Sequence, residues 1–208
     1  MNSNIDFSFI RISAIAGSLR KDSFTKKAAL IALDAAKQMG AQIKLIDLSE
    51  YNLPFCDGRN KNDYPDNVKL FRKELQISHG IILASPEYHA SFSGVLKNAL
   101  DLCGFSEFEG KIVGLIGVSG GTGGLANSMN ALRVVGRALH SWVLPMEVSI
   151  PESSKAFDFH GTLIDKKLEE RLIELGKTIV KFCHLHFSDS AISFLNQWQN
   201  AQPNPGGQ

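Results

Sequence analysis

Apolar residues along this chain are bunched rather than spread. They concentrate in FIRISAIAG, QIKLIDL, GIILAS, KIVGLIGVS and WVLPMEVSI. These runs are rich in Ile and Val, and most lack a clean alternation, as strands covered on both faces do. Between them the period changes. Ala28, Ile31, Ala32, Ala35 and Met39 recur at helical spacing and stop at Gly40. Pro65 and Asp66 open a second helix with Val68, Phe71 and Leu75 on one face. Leu125, Met129, Leu132 and Leu139 make a third stripe, and Leu168, Leu172, Leu175, Ile179 and Phe182 a fourth. Strand and helix alternating about five times predict an α/β domain with a five-stranded, doubly wound parallel sheet and helices on both faces.

Length and charge narrow this picture. The 208 residues suit one domain, since single domains commonly hold about 100 to 200. It is expected over residues 1–186, followed by a tail, residues 187–208, that shifts toward Asn, Gln, Pro and Gly. In that tail Ile192, Leu195 and Trp198 predict a short amphipathic turn, and the last eight residues are expected to be disordered. A formal charge of +1 with no long run of like charges removes the electrostatic footprint of a nucleic-acid binder or a polybasic membrane anchor. Neither a basic leader nor about 18 consecutive apolar residues occurs, so a cytoplasmic location is expected. Cys56, Cys103 and Cys183 lack C-x-x-C spacing, and the pair His184 and His186 does not share a helix face, so no metal site is predicted.

In such sheets ligands bind beyond the carboxyl ends of the strands, which directs attention to GSLRKDS, SPEYHASFSG and GVSGGTGG. In the first, Ser18, Arg20 and Ser23 precede a helix N-terminus, where backbone N–H groups, two hydroxyls and a guanidinium make a seat for a phosphate. No Gly-Lys-Ser/Thr follows, so a phosphate monoester fits better than a nucleoside triphosphate. In the second, Pro86 stiffens the strand end, and Tyr88 with neighbouring N–H groups frames a planar ring. The third admits three readings. Gly117, Ser119 and Gly121 spell a nucleophile elbow, which Asp158 with His160 or His184 would complete as a triad. Gly121, Gly123 and Ala126 fit a dinucleotide fingerprint, with Glu147 about 20 residues on as the ribose-binding acid. Otherwise the glycines are a bare loop lying against a flat ligand, with Thr122 capping the next helix.

Taken together and in register, GSLRKDSF, SPEYHASFSGVLKNALD and GVSGGTGG resemble the NADPH-dependent FMN reductase family, flavodoxin-like enzymes that include quinone, chromate and azo-dye reductases. The similarity runs from about Ile10 to Cys183. It implies a flavodoxin-like fold and an FMN phosphate held by Ser18, Arg20, Ser23 and Thr25. It also implies an isoalloxazine ring bordered by Pro86, Glu87, Tyr88 and His89 on one side and approached by Ser119, Gly120, Gly121 and Gly124 on the other. Thr25 and His89 stand where the family usually has Asn, Ser93 where Pro is usual, and Leu102 where an aromatic is common; His89 and Ser93 are expected on the substrate side.

The activity so implied is reduction of quinones, chromate, azo compounds or free flavin by NADPH or NADH, by a ping-pong mechanism and with no catalytic acid or base. A small-molecule electron acceptor and a homodimer or homotetramer are expected, without nucleic acid or membrane. Alternatives are a flavodoxin-type electron carrier, which a neutral chain disfavours because such carriers tend to be acidic, a Rossmann-type NAD(P)-binding oxidoreductase, or a sensor or scaffold that has lost the cofactor.

Overall fold

The computed structural model describes residues 5–123 and 125–200, the side chain of Trp198 excepted. The eight C-terminal residues expected to be disordered lie outside this range. In chain order the elements are β1 (Arg11–Ala16), α1 (Phe24–Gln38), β2 (Gln42–Asp47), α2 (Leu48–Tyr51), α3 (Asp66–Gln76), β3 (Gly80–Tyr88), β4 (Ser91–Phe92) and α4 (Gly94–Asp101). They continue with α5 (Phe105–Phe108), β5 (Ile112–Val118), α6 (Ala126–Ala138), β6 (Trp142–Ile150), α7 (Ser153–Ala156), α8 (Lys166–Phe187) and α9 (Asp189–Gln199). All five apolar runs are strands of one sheet in the order β2-β1-β3-β5-β6, paired in parallel. A sixth strand, β4, is only two residues long and folds back antiparallel on the end of β3.

The central strands β1, β3 and β5 are buried nearly throughout because both faces are covered, whereas the edge strands β2 and β6 are only partly buried. Ile12, Ala14, Ile82, Ala84 and Ile116 pack under α1 and α8, whereas Ile15, Ile81, Leu83, Val113 and Leu115 pack under α3, α4 and α6. Alternation is therefore present, but it divides one apolar layer from another rather than core from water. The stripe on α8 ends one residue later than expected. Cys183 is fully buried and Phe182 is exposed, because four residues after Ile179, not three, the helix returns to the face that meets the sheet. Beyond Phe187 the chain forms the eleven-residue α9, longer than a turn, on which Ile192 and Leu195 remain exposed.

β2 lies on one side of β1 and β3, β5 and β6 on the other, so the chain reverses its direction of winding between β1 and β3. Helices leaving β1 and β3 depart to opposite faces, and a crevice opens there. The opposite end of the sheet is closed by charge. Lys111 is buried just before β5 and donates to the carbonyls of Leu75 (2.8 Å), Gln76 (2.7 Å) and Ser78, ending α3 with a cation. Beside it Glu107, fully buried, accepts from Arg72 (2.9 Å), Gln76 (2.7 Å), Ser106 (2.9 Å) and the Gly104 N–H (2.8 Å). Burial opposes the charged form of this carboxyl, yet these donors hold it below the usual carboxylate range. Replacing Lys111 by Met keeps the chain length but takes the side-chain donor from the carbonyls of Gln76 and Ser78 and one of the donors from Leu75 O, which still accepts the Ser78 N–H at 3.1 Å. The variant is expected to lose about 3 kcal/mol or more, read as a lower urea midpoint at unchanged slope.

Candidate functional site

Three loops meet at the carboxyl ends of the strands. The first begins at Gly17, whose N–H donates to Ala84 O at 2.8 Å. A Cβ at this position would stand 2.9 Å from both Ala84 O and Leu96 Cβ, so only glycine lets β1 turn this close to β3. Ser18 is buried and its Oγ accepts the Arg20 N–H at 3.3 Å, while Arg20 itself is exposed. Ser23 caps α1, accepting the Lys26 N–H at 3.2 Å. Lys26 pairs with Asp47 at the end of β2, and Asp47 also accepts the Ser49 N–H (3.1 Å) and hydroxyl (2.7 Å). Burial alone would raise the Asp47 carboxyl, but the ammonium and these two donors leave it below its ordinary value. The first turn of α1 is thus fixed from beneath. Among the described residues the N–H groups of Phe24 and Thr25 have no acceptor, as the first turn of a helix requires.

The second loop differs from its expected form in three ways. Pro86 is not the strand end: β3 runs on to Tyr88, with Pro86 opposite Val118 of β5. The ladder tolerates this because β1 has already ended opposite Ala84. Next, His89 does not line the cleft. Tyr88 pairs with Ser91 across a two-residue turn in which His89 and Ala90 both adopt left-handed conformations, φ 51° and 61°. This is a type I′ geometry, which Asn and Gly favour, so an Asn at position 89 would suit the turn. Third, Ser93 is not on the substrate side. It is buried, its Oγ donates to Gly17 O at 2.6 Å and accepts the Leu96 N–H at 3.1 Å, and it caps α4 while tying the second loop to the first.

The glycine loop is laced to the loop after β6. Ser119 N–H donates to Ile150 O (2.9 Å), Ser153 N–H to Ser119 O (2.8 Å) and Glu152 N–H to Gly121 O (3.0 Å). Ser119 Oγ accepts the Gly121 N–H at 3.1 Å, and among the described residues no histidine bonds to it, so the triad reading has no base. Glu147 pairs with Arg133 at 2.6 Å. It sits beside Leu115, four residues or about 13 Å of strand below the loop, out of reach of a ligand there. Thr122 does not cap α6; that helix starts after Leu125 with no side-chain cap.

Together these loops wall a cleft of about 330 Å³. Ser18, Arg20, Ser23, Thr25, Pro86, Glu87, Tyr88, Ser119, Gly120 and Gly121 line it, joined by Asp22, Phe24, Val118 and Ser153. His89 is absent from the lining, and Gly124 lies outside the described residues. The profile of the NADPH-dependent FMN reductases matches residues 10–155, which contain the whole lining. The chain belongs to that family.

It is 36% identical over 180 residues to an NADPH:quinone oxidoreductase of Arabidopsis thaliana, covering 83% of this chain and 91% of that protein. It is 32% identical to an FMN-dependent NADPH-azoreductase of Staphylococcus aureus, covering 81% and 92%. In fold it is similar to FerB, a flavoenzyme NAD(P)H:(acceptor) oxidoreductase of Paracoccus denitrificans, at TM-score 0.71 and 23% identity over 85% of this chain and 98% of that one.

The donor set fits the FMN of this family. One end of the cleft offers Arg20, three hydroxyls and the open N–H groups of α1, a complement for a phosphate. At the other end a Cβ built on Gly120 meets no atom within 4 Å, so the glycine wall is open for a flat ring to approach. Sequence reasoning missed Phe24, which adjoins the seat and stacks on Phe157 with ring centroids 4.9 Å apart. It also missed Ser153, which follows the fifth parallel strand and was reachable by the rule that all such loops border the site. At the hairpin tip, replacing exposed Ala90 by Gly relieves a left-handed alanine. The expected gain, net of the added chain entropy, is about 1 kcal/mol, or about 2–4 °C in the thermal midpoint.

Proposed function

We propose that this FMN-dependent NAD(P)H oxidoreductase works by a ping-pong mechanism in the cleft just described, reducing quinones, chromate, azo compounds or free flavin. The observation that carries the assignment of the site is the union, in one cleft, of an open helix N-terminus bearing Arg20, Ser18, Ser23 and Thr25 with the side-chain-free wall of the glycine loop. When bound, FMN supplies the redox chemistry, taking a hydride from NADPH or NADH and passing its electrons to a small-molecule acceptor. Arg20 and the hydroxyls hold the phosphate, and the α1 dipole supports its charge. Pro86, Glu87 and Tyr88 border the ring on one side, and Ser119, Gly120 and Gly121 on the other. None of these side chains is assigned as an acid or base, because a hydride needs orientation rather than a proton relay.

Reductant and acceptor occupy the same cleft in turn. A homo-oligomer, dimer or tetramer, is supported by a second, apolar concavity of about 610 Å³, beside which Leu19 and Phe55 are 56% and 85% exposed. A reducing cytoplasm suits the three free thiols, and no helix among the described residues is long and apolar enough to cross a membrane.

Arg20→Ala removes a charge-assisted contact of about 1.5 to 3 kcal/mol. FMN should then bind about 10- to 100-fold more weakly by fluorescence titration, and unchanged affinity would overturn the phosphate assignment. In initial-rate kinetics with NADPH and a quinone, parallel double-reciprocal lines are expected, whereas intersecting lines would replace ping-pong with a ternary complex. Anaerobic bleaching of the flavin by NADPH alone distinguishes this enzyme from an electron carrier that waits for a partner reductase.

A further inference from the structure

Glu87 is the acidic side chain of the ring-side loop, and its surroundings set it apart from an ordinary surface carboxylate. It lies at the end of β3, opposite Phe92 of the β3–β4 hairpin, and it lines the cleft. Its Oε2 accepts the hydroxyl of Ser128, which is 1% exposed and sits in the first turn of α6. That helix has no side-chain N-cap on Leu125 and no acidic residue in its own first turn. The carboxylate that complements the positive end of α6 therefore comes from another element, and it is the one that also walls the cleft. A hydroxyl has a single proton and Ser128 Oγ has a second acceptor nearby, Leu125 O at 3.1 Å, so donating to Glu87 is the choice that satisfies a charge.

A hydride carries two electrons and one proton, so a ring that accepts it gains one negative charge until a second proton arrives. A fixed anion beside that ring opposes the gain. Removing the anion also leaves the positive end of α6 uncompensated next to the glycine loop, and both changes favour the reduced ring. We propose that the Glu87 carboxylate, positioned by Ser128, holds down the reduction potential of FMN in this cleft and so favours release of electrons to acceptors of low potential. This rests on the assignment of FMN to the cleft.

The test is the midpoint potential of the FMN-loaded protein at pH 7, by dye equilibration. Glu87→Gln keeps the side chain's shape and an acceptor for Ser128 but removes the charge. It should shift the reduction equilibrium about tenfold toward the reduced form, about 30 mV upward for a two-electron couple. Glu87→Ala should move it by the same amount. A shift confined to the Ala variant would assign the effect to lost packing and overturn the proposal, as would an unmoved potential in both. Ser128→Ala should change the potential in the wild-type background and not in the Glu87→Gln background, because the hydroxyl acts through the carboxylate; an equal change in both would remove Ser128 from the argument. Wild-type protein that takes up no FMN would instead overturn the assignment of the cleft, and that is read before any variant is compared.

Discussion

The spacing of the cleft hangs on one buried hydroxyl. Ser93 Oγ reaches Gly17 O at 2.6 Å across 76 positions of sequence while accepting the N–H of Leu96. It joins the loop that leaves β1 to the helix that leaves β3 at the point where the sheet changes direction. With Gly17 pressed against Ala84 on the neighbouring strand, the phosphate end and the ring end of the cleft have a fixed separation before any ligand arrives. Proline at position 93 would stiffen the same corner through its ring but has no hydroxyl with which to bridge. Here the corner is held by a hydrogen bond rather than by a covalent restraint.

The rest of the fold explains why the corner can carry this load. A sheet covered by helices on both faces offers ligands only its ends. At the amino end, Lys111, Glu107 and Arg72 close the gap between α3, α5 and β5 with bonds to carbonyls and to one another. Such groups have low tolerance for loss because Lys111 and Glu107 are buried and Arg72 is largely so. At the carboxyl end the polar groups are left open instead: among the described residues α1 starts with N–H groups that have no acceptor, and the glycine loop is secured through its backbone by Ile150, Glu152 and Ser153. Polar satisfaction at one end and its absence at the other are what separate scaffold from site.

How much of this was legible in the sequence follows from the range of each interaction. The strands were, because burial on both faces turns the central ones into apolar runs whatever their register, and the edge strands keep enough apolar residues to stand out. The two-residue β4 was not, since Ser91 and Phe92 are too few to show a period. Phe182 was misplaced because helical spacing allows three or four residues after Ile179, and the choice of Cys183 is made by contact with the sheet. In the site, the gathering of Ser18, Arg20 and Ser23 at the start of a helix was legible because a helix N-terminus is a local structure with local chemistry, whereas Thr25 came with the family resemblance. Ser93 and His89 were misread. The family resemblance placed both on the substrate side, yet Ser93 answers to Gly17 and His89 to the backbone of a turn. Ser153 was overlooked although it follows a parallel strand, because the backbone bonds that lace its loop to the glycine loop leave no mark in composition.

The strained turn and the tied carboxylate are two sides of one arrangement. Glu87 and Tyr88 occupy the last two positions of β3, and β4 can pair with them only if the chain reverses within His89 and Ala90. That reversal forces both residues into left-handed conformations that side chains resist. What opposes the resistance is the pairing of β4, the anchoring of Ser93 just beyond it, and the bond from Ser128 to Glu87. The start of α4, α6 and the hairpin therefore hold the end of β3, where Glu87 and Tyr88 line the cleft. A carboxylate on a free loop would be screened by water and averaged over many positions. Held at the end of a strand, it acts from one position, and only a charge with a fixed position can set a potential rather than merely add to the solvated surface.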